Sequence, residues 1–436
     1  MLSYSKMLII LISISLITKI LAIFIFQINS INDHSDIAVY VDTSKDLVEL
    51  GYAQQHANYC YAFSHMYWFA VFLTPITAVF GVSQIAYSMY LSVILTLVAV
   101  LLFDLITFIS NKNNAFYIIL LYLILPSQIL LPQYVTHETA SLLFLSLYMW
   151  LYFKMYKKAK TRIKKIVIVA LSLISVFISS ALNSLGLIAI IATFIIFLVE
   201  YIRSKDKTTI FIAIVKSVGL ILVFTLGTAL LGEIQLQNSQ LDSNRIPNNK
   251  VLWTLYVGSN YESKGEWFLD DKWDDYPQSY DSEAIDNYHK DLILAHYKEL
   301  ITPPTKILDH IKNKFVTIWG DFSYPIGYSN ETISNESVRQ IYNRLLFKPF
   351  TLLNYVLLLL AAVFGLYKLL KNRMKNNSLF LVFCELYLLG STALLLITEC
   401  RNKYIISIIP VFIIVSLMNT KESFDSDKHL VGTSEH

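Results

Sequence analysis

Long apolar runs recur along most of the chain and are separated by short polar segments. A helix needs about 20 predominantly apolar residues to cross a bilayer, because each residue rises about 1.5 Å. The pattern therefore predicts ten spans, at residues 7–26, 83–109, 115–131, 134–153, 166–181, 184–202, 210–231, 352–370, 379–397 and 404–418. Another apolar piece, 67–80, is shorter and contains Pro75, which favours an interfacial helix. Counting it as a span would invert every later loop relative to the amino terminus.

The composition agrees with a chain that faces lipid. Hydrophobic residues make up 55% of the sequence, charged residues 15%, and the mean hydropathy is +0.52. A water-soluble domain carries about 25% charged residues to cover its surface. These values exclude a cytosolic enzyme, a disordered regulator and a nucleic-acid binder. Three cysteines are also too few for a disulfide scaffold or a four-cysteine zinc site. We predict an all-α polytopic membrane protein.

Lysine and arginine in three short loops set the orientation, because such residues concentrate on the cytoplasmic side. These basic residues are Lys154, Lys157, Lys158, Lys160, Arg162, Lys164, Lys165, Arg203, Lys205, Lys207, Lys368, Lys371, Arg373 and Lys375. With ten spans, all three loops share one side and both termini are cytoplasmic. We predict four parts along the chain. They are a transmembrane core at 1–231 that includes the first outer loop at 29–67, an α-rich outer domain at 232–350, the last transmembrane helices at 351–420 and a cytoplasmic tail at 421–436.

The first outer loop is acidic and amphipathic from Asp36 onward, which predicts a helix lying on the membrane. Asp42, Asp46 and Glu49 are expected on its solvated face. Asp33 and Asp36 differ, because they follow the first span where the chain meets lipid headgroups. Neighbouring helices there can desolvate a carboxylate and raise its basicity, so these two residues are candidates for a general base.

Charges at other membrane boundaries are further candidates. Glu138, at the top of the fourth predicted span, is either a helix N-terminal charge favoured by the dipole or a functional acid. Arg401 and Lys403 form either structural salt bridges or a clamp for a phosphate. His65 in the first outer loop is a candidate contact, although such histidines are more often structural.

Two kinds of site are not expected. The carboxylates between residues 270 and 275 lack the alternation and closing glutamate of a calcium loop and favour a solvated loop. The sequence also contains no P-loop, nucleotide-binding glycine motif or metal-ligand cluster. We therefore do not expect a nucleotide-bound donor from the cytoplasm.

The order of several segments resembles the GT-C superfamily of membrane glycosyltransferases, nearest its protein mannosyltransferase and aminoarabinose transferase branch in Gram-positive bacteria. The segments are SDIAVY, YCYAFSHMYW, TPITAVFGVSQIAY, LPSQILLPQYVTHETASLLFLSLYMWLYF, NSLGLIAII, WTLYVGSNYESKGEW and ECRNKYIISIIPVF. The resemblance runs along nearly the whole chain. No single motif is specific, but the ordered set is moderately so.

The resemblance assigns roles to individual residues. Asp36 matches the first-loop aspartate regarded as the catalytic base, and Glu138 matches an acid at the top of the fourth span. Lys403 and Tyr404 occupy an Arg-Tyr position whose basic residue is expected to face a lipid-linked phosphate. Lysine here replaces arginine, and Arg401 is available nearby, so either or both bind the phosphate. Many relatives have two adjacent acids in the first loop, which leaves the choice between Asp33 and Asp36 open.

The implied reaction moves a sugar from polyprenyl phosphate to an outer acceptor, which is a cell-wall polymer, a lipid or a protein, with inversion at the anomeric carbon. The resemblance places the active site on the outer face of the cell membrane. The lipid phosphate is already a good leaving group, so no metal or other cofactor is required. Participation of a divalent metal is the alternative. Alternatives are a polysaccharide polymerase or ligase, a flippase or transporter, and a non-enzymatic assembly subunit.

Overall fold

Helices dominate the computed structural model, which describes residues 2–31, 36–203, 207–239, 249, 251–267, 281–321, 323–372 and 378–418. No β-strand occurs within these ranges. The α-helices are α1 Tyr4–Phe26, α2 Asp36–Glu49, α3 Ala57–Ala62, α4 Ser64–Phe80, α5 Gln84–Ile109, α6 Lys112–Ile124, α7 Pro126–Leu130, α8 His137–Trp150, α9 Tyr156–Lys158, α10 Arg162–Leu182, α11 Leu185–Arg203, α12 Lys207–Gln237, α13 Val251–Ser259, α14 Ser282–Leu300, α15 Pro304–Gly320, α16 Ile326–Thr332, α17 Glu336–Ile341, α18 Phe347–Asn372, α19 Leu379–Ile397 and α20 Ile409–Leu417.

Seven helices in the described ranges are long and apolar enough to cross a membrane, namely α1, α5, α10, α11, α12, α18 and α19. The prediction of an all-α polytopic membrane protein is therefore confirmed. The predicted span at 115–131 is instead a pair of helices bent by 66° at Pro126, which brings the number to eight if the pair is one span. Proline at the first position of α7 cannot continue α6, which explains the break.

Two further predicted spans are interrupted. The helix in 134–153 passes through a π-helical turn, Leu151–Met155, before it ends in α9. The segment 404–418 begins within the 3₁₀ helix Asn402–Ser407 and continues as the short α20. The apolar piece predicted as interfacial forms α4, which runs through Pro75 without a break.

Polar side chains set several helix starts. Ser83 caps α5 by accepting a hydrogen bond from the Ala86 amide, and Thr161 caps α10 in the same way from the Lys164 amide. Asp281 accepts from the Ala284 amide at the start of α14. Each cap satisfies an amide that has no partner inside its helix, and this fixes where the helix begins.

The first outer loop forms the predicted amphipathic helix, α2, but its apolar face is not laid on lipid. Ile37, Tyr40 and Val41 are buried, and α2 packs against α4. Asp42 pairs with His56 at 3.2 Å near the surface, and its side chain is 37% exposed. The helix is therefore held by protein, with Asp42 on the solvated side as expected.

Hydrogen bonds tie the predicted first outer loop, residues 29–67, to later parts of the chain. The Asn29 amide donates to the Thr332 carbonyl at 2.9 Å, and the Gln235 side chain donates to the Cys60 carbonyl at 2.7 Å. Cys60 and Cys400 are both buried and carry free thiols. The loop is thus anchored at both ends without a covalent cross-link.

A charged network ties three helical segments together at the predicted cytoplasmic end of the bundle. The Asp104 carboxylate accepts hydrogen bonds from the Tyr4 hydroxyl and the Trp150 indole, each at 2.7 Å, and pairs with the Lys154 ammonium. Only 8% of the Lys154 side chain is exposed. Its charge therefore depends on Asp104 for compensation.

We expect Asp104→Asn to lower the free energy of unfolding by about 2–4 kcal/mol, because it leaves Lys154 buried without a counter-charge. An unfolding titration with SDS in mixed micelles measures the change. Glu49→Gln is the control, because the Glu49 side chain is 59% exposed and reaches Lys45 only at 4.0 Å. Equal stability of the two variants would contradict the structural role of the network.

Candidate functional site

The first residue of α2 meets the polypeptide that follows α19. The Lys403 ammonium donates to Asp36 Oδ2 at 2.9 Å, and the Tyr59 hydroxyl donates to Asp36 Oδ1 at 3.1 Å. The side chains are 29% exposed for Asp36 and 16% exposed for Lys403. We call residues 398–403 the strap. Two residues that lie 367 positions apart in the sequence thus form one ion pair.

The ion pair controls the charge of its members. Burial disfavours the ionised Asp36 carboxylate, but Lys403, with Arg401 beyond it, outweighs burial and holds the pKa of Asp36 well below its usual range. Burial likewise disfavours the Lys403 ammonium, yet the nearby Asp36 carboxylate raises the pKa of Lys403. Both residues are therefore ionised at neutral pH. In this arrangement Asp36 is a weak base, because the neighbouring Lys403 ammonium lowers its proton affinity.

Arg401, the second basic residue of the strap, is held differently. Its Nε lies 3.0 Å from Glu399 Oε1, and its guanidinium carbon lies 5.6 Å from the centre of the Trp267 ring. The structural salt bridge considered from the sequence is therefore present for Arg401. Lys403 is the strap cation that contacts the candidate base directly.

A buried polar cluster lies behind this pair. The side chain of Glu138 is 1% exposed, and neither of its carboxylate oxygens has a hydrogen-bond partner among the described residues. The nearest ring nitrogen, His137 Nε2, is 3.5 Å from Glu138 Oε1, while Tyr40 hydrogen-bonds His137 Nδ1 at 2.8 Å. The His65 and His137 ring centres are 4.5 Å apart. Two candidates from the sequence, Glu138 and His65, thus share one cluster around His137.

The cluster and the ion pair are neighbours, because α8, which carries Glu138, packs against the 3₁₀ helix that carries Lys403 and Tyr404. The Lys403 ammonium is 5.6 Å from the centre of the Tyr404 ring. The structure therefore brings Asp36, Glu138, His65, Arg401, Lys403 and Tyr404 to one region. Asp33 lies outside the described residues, as does the acidic segment from 270 to 275.

Sequence reasoning missed several contacts. Tyr59 lies in the aromatic run YCYAF, where nothing distinguishes the tyrosine that reaches Asp36. Asp321 accepts a hydrogen bond from the strap residue Asn402 at 2.8 Å, although the two are far apart in the chain. Only the fold reveals these partners. Among the described residues, no group of three or more metal-ligating side chains occurs.

Neither a scan against protein-family models nor a search of curated proteins finds a match for this chain. A carboxylate, a lysine and an arginine converge beside a buried acid that lacks hydrogen-bond donors. Such a site can accept a proton at Asp36 and hold an anion at Lys403 and Arg401.

We expect Asp36 and Lys403 to stabilise the fold jointly, with a coupling free energy of about 1–3 kcal/mol in a double-mutant cycle of Asp36→Asn and Lys403→Gln. SDS titration of the four proteins measures it. The folded pKa of Asp36 lies below its unfolded value. The contribution should thus be full above about pH 4 and fall as the pH drops through the folded pKa.

The surface pair of Asp42 and His56 is the matched control for this cycle. It bridges α2 and the segment before α3 at 3.2 Å but is more exposed. Its coupling should not exceed about 0.5 kcal/mol. Equal coupling in the two pairs would show that the Asp36–Lys403 contact has no special weight.

Proposed function

We propose that the protein is a membrane glycosyltransferase that moves a sugar from a polyprenyl phosphate to an acceptor outside the cytoplasmic membrane. The supporting observation is the contact between Asp36 and Lys403 at 2.9 Å. This contact joins α2 to the strap, and α8 packs against the 3₁₀ helix that follows, which supports a candidate proton acceptor next to a candidate phosphate ligand. The acceptor is a cell-wall polymer, a lipid or a protein.

In the proposed reaction the donor phosphate takes over the Lys403 ammonium, with Arg401 as a second cation. Negative charge stays on the phosphate as it leaves, so fixed positive charge lowers the barrier. Losing Lys403 as a partner also frees Asp36. Its proton affinity then rises, because the lysine no longer offsets the effect of burial.

Asp36 then accepts the proton of the acceptor hydroxyl as that oxygen attacks the anomeric carbon. The bond from the anomeric carbon to the phosphate oxygen breaks in the same step, so the configuration inverts. Glu138, His65 and Tyr404 are proposed to line the sugar and phosphate positions. Because Glu138 already lacks hydrogen-bond donors, a sugar hydroxyl would supply one.

We also propose the finer topology: ten crossings, with both termini in the cytoplasm and the strap outside. The cluster at Lys157 and Lys158 supports the direction, since basic loops stay on the cytoplasmic side. The segments that are not single long helices, α6 with α7, α8 with α9, and the 3₁₀ helix with α20, would each count as one crossing.

Single-cysteine labelling in intact cells tests this topology. We expect an impermeant maleimide to reach a cysteine at Lys290 but not one at Lys158, in a background without native cysteines. Both positions are exposed on the protein, so accessibility depends on the side of the membrane. Lysed cells, in which both positions should react, are the control. Labelling of both in intact cells would overturn the topology and the outer location of the site.

We expect Asp36→Asn to lower sugar transfer by ~10²–10⁴-fold, as is typical for loss of a general base. The nearly isosteric amide keeps the shape of the site, although Lys403 loses its counter-charge and the protein becomes less stable. Lys403→Ala should raise the donor KM, lower the rate, or both. Transfer of radiolabelled sugar from polyprenyl phosphate to cell-wall material, in membranes with matched protein levels, measures these effects. Asp42→Asn is the control and should change little.

Two outcomes separate the parts of this proposal. If Asp36→Asn is fully active and Asp33→Asn is inactive, the reaction stands and Asp33 is the base. If both single variants and the double variant transfer sugar at the parental rate, the proposed mechanism is wrong. A flippase would move the lipid-linked sugar across proteoliposomes without transferring it.

A further inference from the structure

A buried lysine of α15 holds the strap to residues 253–267, which we call the outer segment. Lys314, in α15, is 0% exposed. Its ammonium donates to the Gly258 carbonyl at 2.9 Å and to the Thr398 carbonyl at 2.6 Å, and it forms no ion pair with a carboxylate of the described residues. Burying an ammonium is costly unless its protons are bound. The two carbonyls therefore fix Lys314, and Lys314 in turn fixes the carbonyl at which the strap begins.

Two glycines make room for this arrangement. A Cβ at Gly258 would lie 2.3 Å from the Thr398 carbonyl carbon, and a Cβ at Gly265 would lie 2.8 Å from Lys314 Cε. Gly265 also has φ +76°, a left-handed conformation that other residues rarely adopt. These glycines belong to the segment WTLYVGSNYESKGEW, whose role the proposed reaction leaves unexplained. They allow its backbone to approach the strap and the lysine closely.

The same outer segment binds the backbone of the first strap residues. The Glu399 amide donates to the Thr254 carbonyl at 2.9 Å, and the Cys400 amide donates to the Gly265 carbonyl at 2.8 Å. The Cys400 thiol donates to the Lys314 carbonyl at 3.5 Å. The strap is therefore clamped immediately before Arg401 and Lys403, between the outer segment and α15.

We infer that Lys314 is a positioning residue, which sets the place of Arg401 and Lys403 by clamping the strap to the outer segment. Displacing the strap by about 1 Å would carry Lys403 beyond hydrogen-bonding distance of Asp36. Lys314 therefore acts on the site through the strap, without touching Asp36. The expected effect of Lys314 on phosphate binding rests on the proposed function. Its expected effect on the position of the strap follows from the contacts alone.

Cys400 reports the position of the strap directly, because its thiol is buried beside Lys314. In a Cys60→Ser, Cys384→Ser background, Cys400 is the remaining cysteine of the chain. We expect Lys314→Met to raise its rate of maleimide labelling in detergent at least tenfold, at a temperature well below the Tm. The matched control is Lys312→Met, an exposed lysine two residues away on the same helix, which should leave the rate unchanged.

The affinity of the full chain in nanodiscs for farnesyl phosphate measures how well the site binds a phosphate. We expect Lys314→Met to weaken binding about tenfold, a coupling of the size typical between linked sites. In an Arg401→Ala, Lys403→Ala background the same change should have no further effect, because the cations it positions are gone. An equal loss of binding in both backgrounds would show that Lys314 acts independently of the strap cations and would overturn the inference.

The labelling and binding assays separate two failures. If Cys400 labelling rises in Lys314→Met but the parental protein binds no farnesyl phosphate, the clamp stands and the proposed function fails. If Cys400 stays protected, the clamp is wrong whatever the protein binds. Should Lys314→Met not accumulate, Lys314→Gln, a neutral donor that reaches one carbonyl, should raise labelling to a smaller extent, and unchanged labelling there also overturns the inference.

Discussion

A charge that is withdrawn from water must find a partner, and this constraint shapes the site more than any other interaction. Asp36 and Lys403 satisfy one another at 2.9 Å, with Tyr59 on the second carboxylate oxygen. Neither residue can stay ionised in that environment at low cost without the other. The pair therefore joins the start of α2 to the strap and fixes their relative position.

The same constraint accounts for two further pairs of charges within the helices. Asp104 compensates Lys154, and Glu200 binds Lys216 at 2.9 Å. Both pairs join neighbouring helices, which is a structural role. Glu138 differs from these pairs, because its buried carboxylate has no hydrogen-bond partner among the described residues. A polar group left in that state in a native fold calls for an explanation, and a sugar hydroxyl bound there would supply one under the proposed function.

The sequence predicts the long helices well, because lipid imposes one length and one composition on them. The span at 379–397 coincides with α19, whereas the predicted single spans at 115–131 and 404–418 are broken, the first at Pro126 and the second where a 3₁₀ helix precedes the short α20. The site likewise contains residues that the sequence identifies and contacts that only the fold shows. Asp36 and Lys403 are recognisable as boundary charges, but their contact across 367 positions is a property of the fold. Contacts made by backbone carbonyls, such as those of Lys314, leave no pattern in the sequence at all.

The lysine at position 403 departs from the arginine that the GT-C resemblance leads one to expect, and the geometry gives this departure a physical sense. An arginine fork would engage both oxygens of Asp36, whereas Lys403 contacts Oδ2 and leaves Oδ1 to Tyr59. A point charge on a flexible stem passes more easily from a carboxylate to an arriving phosphate. In the proposed reaction the ion pair keeps Asp36 weakly basic in the resting protein, and the transfer of Lys403 to the phosphate releases it. This transfer makes the base available only when the donor phosphate is in place, so donor binding must precede proton transfer from the acceptor.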